Sequence, residues 1–188
     1  TTESDHTVTF SGAGGTGTVQ SSTPTELVVA FDDQPDTVDD LSVQVNVHGF
    51  TVGPIVVADA VADHTVVETT TKVAQSVTTL TITGTGFSST ASDHTVAFTG
   101  AGDTLVATPA SVSGGNDELI LTVTTPATGT GALSATVTRF GYTTPAVQVA
   151  EIMADHVVTS TAVNVATSAP VLTITGTDFS QVEGDISV

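Results

Sequence analysis

The 188-residue chain has no cysteine, no tryptophan, one tyrosine and only two basic residues, Lys72 and Arg139. Without cysteine no disulfide can staple a small domain, so its stability must come from packing and hydrogen bonding alone. Against those two cations stand twenty acidic residues, for a formal net charge of -18. A nucleic-acid partner is excluded, because neutralising phosphates needs clustered Lys and Arg. An anionic membrane surface is excluded on the same ground. No apolar run reaches the roughly 18 residues a spanning helix needs, so no membrane insertion is expected within this segment. Asn46, Asn116 and Asn164 each lack Ser or Thr two positions on, which leaves no N-glycosylation acceptor.

What the chain does have is threonine, about a fifth of all residues, together with Val, Ala, Leu and Ile. These are largely β-branched side chains that favour the pleated strand over the helix. No segment alternates at helical period with good helix formers. The expected fold class is therefore all-β, with thin cores of aliphatic side chains.

The sequence also repeats itself. "LTITGTGF" at 80 to 87 returns as "LTITGTDF" at 172 to 179, a shift of 92. The same shift carries "TELVVAF" (25 to 31) onto "DELILTV" (117 to 123). "HGFTVGPIVVADAVADHTV" (48 to 66) matches "RFGYTTPAVQVAEIMADHVV" (139 to 158) after a one-residue wobble, and "SDHTVTFSGAG" near the start matches "SDHTVAFTGAG", with Asp5 falling on Asp93. A period near 90 is too long for a solenoid coil and fits tandem independent modules.

Within the complete copy, alternation and turn residues predict strand A over 77 to 84, B over 94 to 99, C over 104 to 108, E over 118 to 124, F over 132 to 139 and G over 145 to 151. Short strands spaced by Gly, Pro and Asp are the pattern of a β-sandwich. The run "LTITGTGFSSTASDHTVAFTGAGDTLVATPAS", followed by "LILTVTTPATGTGALSATVTRFGY", resembles an IPT/TIG domain of the kind found in bacterial or archaeal surface proteins. The resemblance rests on the "TITGTGF" first strand, the "VAFTG" second strand, the "TTP" at Thr124, Thr125 and Pro126, and a strand F led by Gly131. It implies tandem immunoglobulin-like β-sandwich modules with structural and adhesive roles. The DNA-contacting members of that family use basic loops, which this chain lacks. In the first copy, "DDQPDTVDD" (32 to 40) replaces the "TTP" and the Gly.

This register divides the chain into three parts: 1-63, a module lacking its first strand; 64-154, a complete module; and 155-188, the first-strand region of a following module. Asp5, Asp93 and Asp185 are equivalent positions. Two arrangements are open, a window on a longer tandem array or subunits that polymerise by donating strands. In the second, the segment around Leu172 to Phe179 fills the gap in another copy's first module, since an unpaired edge is satisfied by strand addition.

Three motifs bear on chemistry. "GAGGTG" (Gly12, Gly14, Gly17) has the spacing of a dinucleotide fingerprint, but that motif works only where a strand feeds a helix; here a strand follows, and a hairpin is expected. Four of the five His residues sit in Asp-His pairs (Asp5/His6, Asp63/His64, Asp93/His94, Asp155/His156), where the Asp is read as a cap on the turn before a strand. No nucleophile elbow or oxyanion loop is legible, so no catalytic residues are assigned. Finally, Asp32, Asp33, Asp36, Asp39 and Asp40 put five carboxylates within nine residues. Hard oxygen donors at this density suit calcium, although the spacing is not that of an EF-hand. With Asp5, Asp59 and Asp63 brought to the same pole of the module, they form a candidate calcium junction.

The expectation is a non-enzymatic extracellular structural protein forming a filament, stalk or adhesin shaft, whose partners are copies of itself or adjacent modules of the same chain. The alternative is a carbohydrate- or protein-binding adhesion module of a giant surface protein.

Overall fold

The structure is a computed structural model that describes residues 5–101, 104–159 and 164–179. Its regular elements are strands, with a short 3-10 turn at Ala91–Asp93. The chain is all-β, and it divides into two compact units, Thr1–Asp63 and His64–Val188.

Unit 1 contains β1 (His6–Gly12), β2 (Thr16–Ser22), β3 (Leu27–Asp33), β4 (Asp40–Val47) and β5 (Phe50–Asp59). They form two sheets, β1-β4-β5 and β2-β3. Period-two patterning decides which face turns inward: along β1, His6, Val8 and Phe10 are half-buried while Thr7, Thr9 and Ser11 face solvent. The Phe10 and Phe31 rings, 5.2 Å apart, bridge the two sheets. "GAGGTG" spans the connection from β1 to β2, but not as the expected hairpin: β1 pairs with β4 and β2 with β3, so the glycines carry the chain from one sheet to the other.

Unit 2 begins with β6 (Thr65–Val66), β7 (Lys72–Ala74) and β8 (Thr79–Thr85). It continues through β9 (His94–Gly100), β10 (Val106–Ser113), β11 (Glu118–Thr125), β12 (Gly131–Arg139), β13 (Tyr142–Thr143) and β14 (Val147–Met153). One sheet runs β10-β11-β8-β6; the other runs β13-β12-β14-β7, with β9 also paired to β12. Leu80, Ile82, Leu119 and Leu121 from the first sheet close on Leu133, Val137, Val149 and Ile152 from the second. Each such side chain, wholly removed from water, contributes about 1.5–3 kcal/mol. The segment after β14 carries β15 (Val157–Thr159) and β16 (Thr175–Thr177), which pair with each other.

The predicted strands A, B, E, F and G correspond to β8, β9, β11, β12 and β14. Strand C runs on to Ser113 rather than stopping at 108. Pro109 reads as a terminator, but β10 is an edge strand with a register shift at Pro109, where a missing N–H is tolerated. The one-residue wobble in the repeat also resolves. His48 and Gly49 (φ 51° and 85°) form the same two-residue turn as Phe140 and Gly141 (φ 49° and 85°), so His48 matches Phe140 at the constant shift of 92.

Candidate functional site

Residues 64–87 form an arch that completes unit 2. Its β8 pairs antiparallel with β11, setting Ile82 opposite Leu119 and Leu80 opposite Leu121. Its β7 pairs in parallel with β14, Val73 opposite Ile152. One arch thus adds a strand to each sheet, and it buries Leu80, Ile82 and Phe87. The arch is pinched where β6 meets β8, Val66 opposite Gly84. A Cβ at Gly84 would strike the Thr65 carbonyl oxygen and the Phe87 ring.

The same geometry returns at the end of the chain. β15 and β16 pair with Val157 opposite Thr177 and Val158 opposite Gly176, each pair 92 residues beyond its counterpart in the first arch. A Cβ at Gly176 would strike the Val157 carbonyl oxygen and the Phe179 ring. Asp178 (φ 58°) takes the left-handed conformation of Gly86 (φ 69°), which Asp adopts more readily than most residues. The surroundings differ. Leu172 is 60% exposed and Ile174 49%, where Leu80 and Ile82 are at 3% and 0%. Asn164, Val165, Ala166, Ala169, Val171 and Leu172 line an open cleft of about 420 Å³ on this second arch.

Unit 1 shows the complementary condition. Among the described residues β3 is paired by β2 alone and β5 by β4 alone. Every residue of β5 is exposed, including Phe50, Val52, Ile55, Val56 and Val57. Ala13 and Leu41 are the buried apolar residues of the unit. Leu27, Val29, Val43 and Val45 are only half-buried, whereas their counterparts 92 residues on, Leu119, Leu121, Ala135 and Val137, are buried.

Two histidines seal the first arch from within. His64 is buried, and its Nε2 lies 3.0 Å from the Val137 carbonyl oxygen, to which it donates. Its ring packs edge-on against Tyr142 at 5.3 Å and near Phe87 and His94. Buried His94 accepts the Ser88 backbone N–H at Nε2 (3.1 Å) and donates from Nδ1 to the Ala91 carbonyl (3.2 Å). Burial holds its pKa below the ordinary 6.5, with Arg139 and His64 acting in the same direction and the Ala91 bond and Asp93 opposing. The Ser88 hydroxyl donates directly to Asp93 at 2.6 Å. Ser88, His94 and Asp93 are the residue types of a nucleophilic triad, but neither ring nitrogen is free to take the hydroxyl proton. Arg139 donates from Nη1 to the Gly86 carbonyl and lies 4.6 Å over the Phe140 ring, which fixes the outer end of the arch.

The acidic loop of unit 1 closes over the connection between β1 and β2. The Asp36 and Thr37 backbone N–H groups both donate to the Ala13 carbonyl, Asp33 accepts from the Thr16 hydroxyl at 2.9 Å, and Asp39 accepts from the Asp40 N–H at 2.8 Å. Asp40 and Asp59 stand opposite each other on β4 and β5. The hydrogen bond they share raises the Asp40 pKa above its ordinary 3.8, with slight desolvation and repulsion from Asp59 and Asp39 in the same direction. Asp32 and Asp63 point to solvent. No group of three or more carboxylates or histidines converges on a cation-sized site among the described residues.

Asp5 does not join the others. It precedes His6, which pairs with Val47, while Asp40 lies beside Leu41, which pairs with Gly12 at the far end of β1. At about 3.3 Å per residue, β1 holds Asp5 some 20 Å from Asp40. The expectation of a shared pole assumed that the loop before β1 and the loop before β4 lie together; because β1 and β4 are antiparallel neighbours, those loops fall at opposite ends. Asp185 lies outside the described residues.

Asp155 does not cap its own turn as expected: it accepts the Ser76 N–H at 3.2 Å, a bond between residues 79 apart in the chain. The burial of His64 and His94 was missed, although His94 shares the inward register of Val96 and Phe98.

No protein-family model, curated protein or solved structure matches the chain. No helix among the described residues is long and apolar enough to cross a membrane.

Proposed function

We propose that the protein is a non-enzymatic, extracellular structural protein in which immunoglobulin-like modules of the IPT/TIG kind are joined in series to build a filament, stalk or adhesin shaft. The observation that carries this reading is the arch: residues 64–87 seal unit 2, and the same fold of chain recurs at the end of the sequence with its apolar residues uncovered. A device that passes from one module to close the next is what a linear array requires. The charge of -18 suits an exterior surface that stays soluble and repels casual contacts.

Electron microscopy and light scattering of the full chain test this. Concentration-dependent linear assemblies are expected; a chain that stays monomeric at millimolar concentration refutes it. Calcium would support the array at the acidic loop of unit 1 by bridging carboxylates among Asp32, Asp33, Asp36, Asp39 and Asp40 that otherwise repel. Millimolar calcium should raise the melting temperature of unit 1, and no shift would remove the metal from the reading.

A further inference from the structure

We infer that unit 1 carries a two-edged docking site for the second arch, residues 156–159 and 164–179, of a second copy, which adds one strand to each of its sheets. The inference rests on the array reading and specifies its joint. Two unpaired edges, β3 and β5, flank an underburied interior. Unit 2 shows what covers such edges, because its own first arch lies there on β11 and β14. The occupant is chosen by sequence and shape together. The second arch repeats "LTITGT" residue for residue, holds the Gly176 pinch in the Gly84 geometry, and presents Leu172, Ile174 and Phe179 unburied.

The register follows from the shift of 92. Antiparallel pairing of Leu119 with Ile82 and Leu121 with Leu80 places Ile174 opposite Leu27 and Leu172 opposite Val29, both turned into the core. On the other sheet, the parallel pair Glu151 and Lys72 places Asn164 opposite Asp59. His156 takes the role of His64: its ring meets Phe50, which stands where Tyr142 does, and its Nε2–H reaches the Val45 carbonyl as His64 reaches that of Val137. That contact covers Phe50, which is 81% exposed in the free chain. Main-chain bonds to both edges give the joint its strength, and inward side chains at alternate positions give it register.

The absence of cysteine makes the test clean. In the full chain, Val28→Cys with Thr173→Cys places two thiols on the outer face at the pair equivalent to Ile120 and Thr81. Asp59→Cys with Asn164→Cys probes the second edge, and Val28→Cys with Thr177→Cys is a control about four residues out of register, some 13 Å away. Tyr142 fluorescence verifies that unit 2 is folded in every variant. Under mild oxidation both matched pairs should yield a disulfide ladder of covalent multimers, with at least tenfold less from the control. Linear assemblies without matched-pair ladders would overturn this joint and leave the array reading standing; neither assemblies nor ladders would overturn both. A disulfide confined to monomers would show that the occupant is the chain's own arch and would overturn the second copy as partner.

Discussion

Ile82 and Ile174 occupy the same place in the repeat, and truncating each to Ala should do opposite things. Ile82 is fully buried between the sheets. Removing its outer carbons leaves a cavity in the closed core and should cost unit 2 about 2–5 kcal/mol. Ile174 is 49% exposed in the free chain, so its truncation should leave the urea midpoint of unit 2 within about 0.5 kcal/mol of wild type. Its cost appears only when the arch seats. Seating buries roughly the remaining half of the side chain and creates the same cavity, about 2 kcal/mol in all, or some thirtyfold in the dissociation constant of the joint. Tyr142, the only tyrosine, sits against His64, so its fluorescence reports unit 2 during urea unfolding, while light scattering reports assembly. The reasoning is refuted if Ile174→Ala lowers the Tyr142 midpoint as Ile82→Ala does, or if it leaves the assembly concentration unchanged.

Asp40→Asn should raise the neutral-pH melting temperature of unit 1. The raised Asp40 pKa means that its protonated form favours folding fully below the ordinary value of 3.8 and that this support is lost as pH rises through the folded value; calorimetry from pH 3 to 7 should show the dependence shrinking in the variant. His94 behaves in the opposite sense. Its lowered pKa gives unit 2 stability that is complete above 6.5 and falls away as pH drops from there through the folded value. His94→Ala should flatten that decline in the Tyr142 signal and, by orphaning the Ser88 N–H, cost about 1–3 kcal/mol at pH 7.5. Salt should promote assembly: two chains of charge -18 repel, and taking ionic strength from about 0.01 to 0.15 M shortens the screening length from about 30 to 8 Å. Assembly that weakens with added sodium chloride, read by light scattering, would contradict this.

The fold was legible where one residue type decides one thing. β-branched alternation placed the strands, and Gly, Pro and Asp placed the turns. The sequence could not distinguish a proline at a sheet edge from one that ends a strand, because that depends on which neighbour β10 has and which side its N–H groups face. Nor could it show that one arch serves both sheets: β7 is three residues long and pairs in parallel, too short to leave a period. The acidic loop stood out as composition, yet its wiring did not. The Asp33 and Asp39 carboxylates accept local hydrogen bonds and Asp36 is tied through its backbone N–H, while Asp59, outside the dense run, is the partner that shifts Asp40.

The proposed joint would also fix the form of the assembly. Its two halves are different surfaces, open edges on unit 1 and the second arch of unit 2, so the contact would be heterologous, and such contacts propagate as open filaments unless their rotation closes a ring. The first arch reaches its site along a continuous chain, as a unimolecular step, whereas a second arch seated on another copy, as proposed, would find its site by encounter, at a rate set by concentration. In the proposed assembly unit 2 would therefore close first, and each closed copy would present one acceptor and one donor. An exposed edge such as β3 would ordinarily invite indiscriminate pairing. Asp32 and Asp33 at its end, and an acidic chain on either side, oppose that without blocking a donor whose Ile174, Leu172 and Phe179 fill a core in register. Charge thus discourages association in general, and packing selects the one partner that overcomes it.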